Sequence, residues 1–275
     1  MKWHQGVWNQ PLLGSVTLFI DKYPKFTAGR VLKHDMLNLL RDYPRNYVDI
    51  IYRGHSDGLL AGCQMVINSD TITIEPGMVR HRGKIYMMNE SVNIPYTATG
   101  QDAILKIYFK KEKTDGDYVI GQGDIMLVPG TQLAENEIEL CRFKLKTGAR
   151  LRDDYQNFAD LATEYDTINT INVLYAAPYE PTLSPHITRY FAQEALENKL
   201  MQPFDYAFVS QCAGGEPVAR MLITAYTAAR LGLVTNDSSH QDMFRHLTNI
   251  LSDIRQGKNM ATAPRRSSGR KVLVD

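Results

Sequence analysis

The stretch Ile138-Glu139-Leu140-Cys141-Arg142-Phe143-Lys144-Leu145 decides the fold class, because its apolar residues recur at a period close to two. Four further runs of β-branched and aromatic residues lie between residues 56 and 147: Thr71-Ile72-Thr73-Ile74, Lys84-Ile85-Tyr86-Met87, Ile104-Leu105-Lys106-Ile107-Tyr108-Phe109 and Tyr118-Val119-Ile120. Such runs are typical of short strands. Turn-forming residues separate them at intervals of roughly 8 to 12 residues, which predicts an antiparallel β-sandwich or small barrel. The region lacks the strand–helix alternation that a Rossmann-type sheet needs.

Beyond residue 184 the apolar period changes to 3.6, which predicts three amphipathic helices. Ser184-Pro185 supplies an N-cap and an N1 proline for the first helix. Gly214-Gly215-Glu216-Pro217 breaks the chain before the second helix, and Gly232 ends that helix. Ser238 and Gln241 predict a capping box for the third helix. The predicted fold class is therefore α+β, with the β module followed by a small helical bundle.

The first 55 residues predict an extended arm around one helix. Pro11 and Gly14 interrupt an apolar segment that has no sustained period. A helical face follows, with Thr27 as N-cap and Pro44 as the stop signal. Because such an arm needs a surface to cover, we predict that its large apolar residues bind a partner. These residues are Trp3, Val7, Trp8, Leu12 and Leu13.

The last segment, residues 257–275, is a basic tail with five Lys or Arg residues against Asp275. Its composition predicts disorder in isolation, so order requires contacts from a neighbouring chain. The run Val272-Leu273-Val274 is suited to add a strand to the edge of a partner's sheet. The predicted partner-binding residues of the tail are Arg265, Arg266, Arg270, Lys271, Val272, Leu273 and Val274.

The predicted organisation has five parts. They are residues 1–55 (N-terminal arm and helix), 56–147 (antiparallel β module), 148–183 (connector), 184–256 (helical module) and 257–275 (basic C-terminal tail).

Composition and charge exclude several classes of protein. The 275 residues carry 31 basic and 30 acidic side chains, and a net charge of +1 offers no overall field for nucleic acid or an anionic membrane. The longest apolar stretch, Met221 to Val234, is shorter than the roughly 20 residues that span a bilayer. The first residues lack the hydrophobic region of a secretory signal. Cys63, Cys141 and Cys212 are widely spaced, which predicts reduced, buried thiols.

No catalytic, cofactor-binding or metal-binding residues are predicted. The segment Gly77 to Ile85 comes nearest to a P-loop, but five residues separate its glycines where four are required, so a hairpin turn at Arg82-Gly83 is predicted instead. Asp242 and His246 share a predicted helical face but lack a third metal ligand nearby. We expect the largest cavity to lack convergent ionisable groups.

The glycine turns of the β module resemble those of a known group of proteins. The residues concerned are Asp57-Gly58-Leu59-Leu60-Ala61-Gly62-Cys63, Asn68 to Val79 and Arg82-Gly83-Lys84-Ile85-Tyr86. They are similar to the small β module of baseplate and tail-fibre-attachment proteins of tailed phages, prophages and phage-tail-like particles. Residues 135–143 and 151–155 also resemble proteins encoded in the tail modules of Gram-positive prophages.

The resemblance implies a structural virion component that docks other baseplate or tail subunits, and possibly a tail fibre or receptor-binding protein, in several copies per particle. It implies assembly in the bacterial host cytoplasm, no enzyme activity and no cofactor. Two alternatives stay open. One is a hydrolase that uses the neighbouring His55, Ser56 and Asp57, and the other is a nucleic-acid-binding accessory protein that uses the basic tail.

Overall fold

The computed structural model describes residues 20–200, 202–233 and 238–258. The chain divides into two compact units, Met1–Tyr52 and Arg53–Asp275. The predicted β module, connector and helical module all fall within the second unit.

The first unit contains one long helix, α1, which spans His34–Ile51. Two predictions about its ends are wrong. Lys33, and not Thr27, precedes the first turn, and the helix continues through Pro44. A proline here removes one backbone donor, but Pro44 is exposed, so water is available to the carbonyl group that loses its partner.

The second unit begins with short antiparallel strands. Within the described residues these strands are β1 Gly58–Gly62, β2 Met65–Ile67, β3 Thr71–Ile74, β4 Gly77–His81, β5 Lys84–Met88, β6 Val92–Pro95, β7 Asp102–Phe109, β8 Lys113–Asp115, β9 Tyr118–Ile120, β10 Gly123–Pro129 and β11 Glu137–Lys144. The sheets have the strand orders β1-β4-β5, β2-β3-β6, β10-β7-β11 and β8-β9. None of them closes into a barrel, so the antiparallel β module is confirmed in its open form.

Strand β11 contains a β-bulge where the sequence alternation breaks. Two apolar residues, Leu140 and Cys141, stand side by side, and the pairing with β7 shifts register between Glu139 and Cys141. The bulge allows both residues to be buried.

The predicted turn at Arg82-Gly83 is confirmed. Strands β4 and β5 pair His81 with Lys84, and both turn residues have positive φ angles, 48° for Arg82 and 76° for Gly83. Two consecutive positive φ angles match the twist of a two-residue hairpin. The segment that comes nearest to a P-loop is therefore a hairpin with no helix after its glycines.

The chain then forms a short 3-10 helix, η1, at Phe158–Ala162 and four α-helices: α2 Pro185–Leu196, α3 Pro203–Ala213, α4 Arg220–Leu231 and α5 His240–Arg255. The side chain of Ser184 caps α2, and Gly232 ends α4 in the left-handed conformation, as predicted. The capping box of α5 is formed by Ser239 and Asp242, one residue later than predicted.

Helix α3 is absent from the sequence-based prediction, and its apolar residues explain why. Phe208, Val209 and Cys212 are buried, whereas Phe204 and Tyr206 are partly exposed on other sides of the same helix. Apolar residues spread around the helix remove the 3.6-residue period on which the prediction depends.

Two hydrophobic clusters form the core of the second unit, one in the β module and one among the helices. Residues 148–183 supply side chains to both. Leu151, Ile168 and Val173 pack in the β cluster, while Phe158, Leu161, Ile171 and Leu183 pack in the helical cluster. This segment is thus part of the packed interior.

Candidate functional site

The residues that carry the family resemblance form a tight junction between β1 and β4. Gly62 and Gly77 pair across the two strands. A Cβ atom on Gly62 would lie 2.1 Å from the carbonyl oxygen of Pro76, and one on Gly77 would lie 2.4 Å from the backbone nitrogen of Cys63. Gly62 also has a φ of +68°. Only glycine fits this contact, so these motif residues serve packing and shape.

A cavity of about 540 Å³ lies in the second unit. It is lined by parts of β1 and β2, the start of α2 and three intervening loops. The lining residues are Leu60, Ala61, Gly62, Cys63, Gln64, Met65, Ile67, Asp153, Tyr155, Ile168, Thr170, Tyr175, Ser184, Pro185, His186, Arg189, Gly215, Glu216 and Pro217.

The acidic and basic side chains that border this cavity are Asp153, His186, Arg189 and Glu216. Burial lowers the pKa of His186, the neighbouring Arg189 lowers it further, and Asp153 acts in the opposite direction. His186 is therefore neutral at pH 7 and lies near one charge of each sign.

The cavity lacks an activated nucleophile among its described lining residues. The Ser184 hydroxyl group accepts a hydrogen bond from the backbone N–H of His186 at 3.2 Å as the helix cap. Burial raises the pKa of Cys63 to about 11, so its thiol stays protonated at neutral pH. The cavity can accommodate a polar group. The Ser184 hydroxyl group is engaged as the helix cap, and the Cys63 thiol is inert.

The structure directs the side chains of the predicted hydrolase cluster to different partners. The Asp57 carboxylate accepts hydrogen bonds from Arg80 at 3.1 Å and from the backbone N–H of Arg82 at 2.7 Å. The Ser56 hydroxyl accepts the backbone N–H of Ala177 at 3.3 Å, and His55 forms a β-bridge with Pro178. The Ser56 and Asp57 side chains and the backbone of His55 therefore each bind a neighbouring segment of the chain.

Asp242, considered above with His246 as a metal ligand, has a structural role. Asp242 belongs to the capping box of α5 and is ion-paired with Arg245. Across residues 20–200, 202–233 and 238–258, no group of three or more His, Cys, Asp or Glu side chains is placed to hold a metal ion. The three cysteines are buried and unbridged, as predicted.

The described residues of the first unit expose much apolar surface. No residue of α1 is buried, and six of its large apolar side chains are between 46% and 63% exposed. These six residues are Leu37, Leu40, Tyr43, Tyr47, Ile50 and Ile51. Among the described helices, none has the length and hydropathy needed to cross a membrane.

The partner-binding residues predicted from sequence lie outside the described residues. This holds for the arm residues Trp3, Val7, Trp8, Leu12 and Leu13, and for the tail residues Arg265, Arg266, Arg270, Lys271, Val272, Leu273 and Val274. Conversely, the ionisable residues around the cavity were not predicted, since Ser184-Pro185 signalled only a helix start.

No family model matches the chain, and no curated protein matches it. Among solved structures, the crystal structure of TssK is similar at a TM-score of 0.38 and 10% identity, covering 88% of this chain and 70% of that one. The cryo-electron microscopy structure of the type VI secretion system TssK-TssF-TssG baseplate subcomplex is similar at a TM-score of 0.38 and 8% identity, covering 86% of this chain and 99% of that one. Both likenesses lie below a TM-score of 0.5 and below 25% identity.

Proposed function

We propose that this chain is a structural, non-enzymatic baseplate subunit of a phage tail or phage-tail-like particle, where it docks other tail subunits. The observation that carries the proposal is the β1–β4 junction. The glycines that resemble those of baseplate and tail-fibre-attachment proteins lie where two backbones meet too closely for a side chain. The resemblance therefore concerns residues that this fold needs for its shape.

The environment of the reactive side chains agrees with this proposal. The Asp57 carboxylate accepts hydrogen bonds from Arg80 and from the backbone of Arg82, and the Ser56 hydroxyl accepts one from the backbone of Ala177. The proposal rests on the β1–β4 junction and on the resemblance of its glycines.

The finer proposal is that the chain occurs in several copies in the virion tail after assembly in the host cytoplasm. Its docking contacts are proposed to come from the arm around Trp8 and from the basic tail. In the tail, we expect the apolar run Val272 to Val274 to contribute more than Arg265 and Arg266, because exposed ion pairs contribute only about 0 to 1 kcal/mol each.

The test is incorporation into particles. An epitope-tagged chain is expressed in a producing strain that lacks the native gene, and particles are separated on a density gradient. We expect the wild-type chain and the His55→Gln variant to sediment with intact particles. Trp8→Ala and deletion of residues 271–275 are expected to reduce incorporation. A chain that stays outside the particle fraction, in a strain whose particles assemble and infect normally, contradicts the proposal.

Two arms of this experiment separate the alternatives. Loss of infectivity in His55→Gln particles of normal composition would favour the hydrolase. Binding of the purified chain to DNA or RNA that is lost when Arg265 and Arg266 are neutralised would favour the nucleic-acid-binding protein.

A further inference from the structure

Within the described residues, strand β2 has one edge that no other strand covers. It is the outer strand of the sheet β2-β3-β6 and pairs with β3 alone. The backbone N–H of Glu75 donates to the carbonyl oxygen of Gln64 at 2.8 Å. Because such bonds occur at every second residue of an antiparallel pair, the N–H and C=O groups of Met65 and Ile67 point away from β3. No backbone hydrogen bond among the described residues reaches these groups.

The uncovered edge borders the cavity described above. Met65 and Ile67 both line the cavity, whereas Val66 between them lies on the other face of the strand and is 47% exposed. An edge with unpaired N–H and C=O groups is a template for a further strand. A pocket beside such an edge selects the side chains of the added strand. The geometry therefore suits an extended peptide segment.

The border of the cavity also carries charges of both signs. Asp153 and Glu216 supply carboxylates and Arg189 supplies a guanidinium group, and all three residues are exposed. None of the three forms an ion pair or a hydrogen bond with the described part of the chain. Met65 and Ile67 contribute apolar wall to the same cavity. A strand that fits this cavity therefore combines an apolar residue with a cation and an anion.

We propose that this groove, formed by the β2 edge and the cavity, binds residues 271–275 of the same chain as an added strand. This segment reads Lys271-Val272-Leu273-Val274-Asp275 and lies outside the described residues. Because side chains alternate along a strand, Lys271, Leu273 and Asp275 share one face. That face presents a cation, an apolar residue and an anion in order. It matches the carboxylates, the apolar wall and the guanidinium group of the cavity.

The chain is long enough for this segment to reach its own cavity. Helix α5, the last described element, packs against α2, and Arg255 pairs there with Glu194. The start of α2 borders the cavity and lies about 12 Å from Glu194 along the helix. Residues 259–270 connect the described chain to Lys271 and can span up to about 40 Å.

The tether also favours the segment's own chain over a second copy. A linker of this length holds the segment at a local concentration on the order of millimolar, which exceeds that of other copies in dilute solution. In the free chain, the groove then holds the run that the proposed function assigns to docking. Docking of this run to another subunit therefore requires its release from the groove.

The first experiment measures amide hydrogen exchange in the full chain by NMR. We expect the amides of Met65 and Ile67 to be protected in the wild type. They should exchange at least about tenfold faster when residues 271–275 are deleted. The amide of Val66 points to β3 and is the internal control, so its exchange should not change. An unchanged Val66 amide also shows that the deletion keeps the sheet intact.

Single variants and a peptide test whether the effect belongs to this segment. Leu273→Asp should accelerate exchange as the deletion does, because it places a charge against the apolar wall. Arg265→Gln/Arg266→Gln is the control, since it changes the tail outside the segment, and it should leave the protection unchanged. A synthetic peptide of residues 269–275 should restore the protection when it is added to the truncated chain. The same peptide with Leu273→Asp should not.

The second experiment determines which face of the segment meets the cavity. Val66 lies on the outer face of β2, so Val66→Cys should form a disulfide with Val272→Cys or Val274→Cys under mild oxidation. Leu273→Cys is the matched control, because its side chain is assigned to the cavity. The crosslinked product should have the mass of a single chain at every protein concentration. The native cysteines are buried, which limits competing reactions.

Three results overturn the inference. The first is equal exchange of the Met65 and Ile67 amides in the wild-type and truncated chains. The second is a Val66→Cys crosslink that forms no faster with the two valine positions than with Leu273→Cys. The third is a crosslinked product with the mass of two chains in dilute solution, which would assign the groove to the segment of a second copy. The inference does not use the baseplate role, so its failure would leave the proposed function standing.

Discussion

A buried ion pair between α3 and α4 allows a quantitative test of how the helical module is stabilised. Arg230 and Asp205 have side chains that are 2% and 1% exposed, with Nε and Oδ1 3.3 Å apart. Tyr226 donates a hydrogen bond to the same carboxylate oxygen at 2.9 Å. Neither Nε nor Nη1 of Arg230 has an aligned hydrogen-bond partner in the described part of the chain. The desolvation of the guanidinium group is therefore only partly compensated.

Each single substitution should be costly, because it leaves one buried group without its partner. Asp205→Asn leaves a buried, charged guanidinium group, and we expect a loss of about 3 to 5 kcal/mol in the free energy of unfolding. Arg230→Met leaves the buried carboxyl group of Asp205 without its cation, and we expect a loss of about 3 kcal/mol at pH 7. The triple variant Asp205→Leu/Tyr226→Phe/Arg230→Met should return to within about 2 kcal/mol of wild type, since no buried polar group is left unpaired.

The assay is urea unfolding of the full chain at pH 7, followed by circular dichroism. A cost below about 1 kcal/mol for Asp205→Asn, or a triple variant that is no more stable than Asp205→Asn, would refute this reasoning.

Three further predictions concern the second unit. Gly77→Ala should lower the free energy of unfolding by about 2 kcal/mol, because the new Cβ atom would collide with Cys63. Gly54→Ala is the control, since its Cβ atom meets open space, and it should change the free energy of unfolding by less than about 0.5 kcal/mol. Urea denaturation measures both variants. Burial and the nearby Arg220 lower the pKa of His240 to about 4. The unfolded chain therefore binds more protons than the folded chain between pH 6.5 and 4, and the free energy of unfolding should fall by up to roughly 3 kcal/mol on acidification across that range. A His240→Gln variant whose stability keeps the same pH dependence would contradict the assignment. The three buried cysteines should resist a thiol reagent at pH 8 and react together in denaturant, and fast labelling of the native chain would show that their burial is wrong.

Local signals in the sequence were sufficient for the hairpins and for several helix ends. The Arg82-Gly83 turn was predictable because two residues with positive φ are needed in a tight hairpin and glycine tolerates one at little cost. Ser184-Pro185 was predictable because a helix start needs an acceptor for its free N–H groups. The helix stop predicted at Pro44 was wrong, because the effect of a proline depends on whether water reaches the carbonyl group that it leaves without a partner.

The candidate site was much less predictable than the strands. Its cavity combines residues 60–67, 153–155, 184–189 and 215–217, with single residues between them. No motif links Asp153, His186, Arg189 and Glu216 along the chain. Their proximity follows from the packing of residues 148–183 into both hydrophobic clusters.

The sequence by itself determined the antiparallel β region, the capped start of α2, the glycine end of α4, and the burial of the cysteines. Each of these depends on residues within a few positions of one another, where backbone sterics, hydrogen-bond donors and apolar period act directly. Only the tertiary structure decided the position of α3, the close contact of Gly62 with Gly77, and the pairing of Asp205 with Arg230. These features depend on which distant surfaces meet, and burial and electrostatic energies are set by that contact.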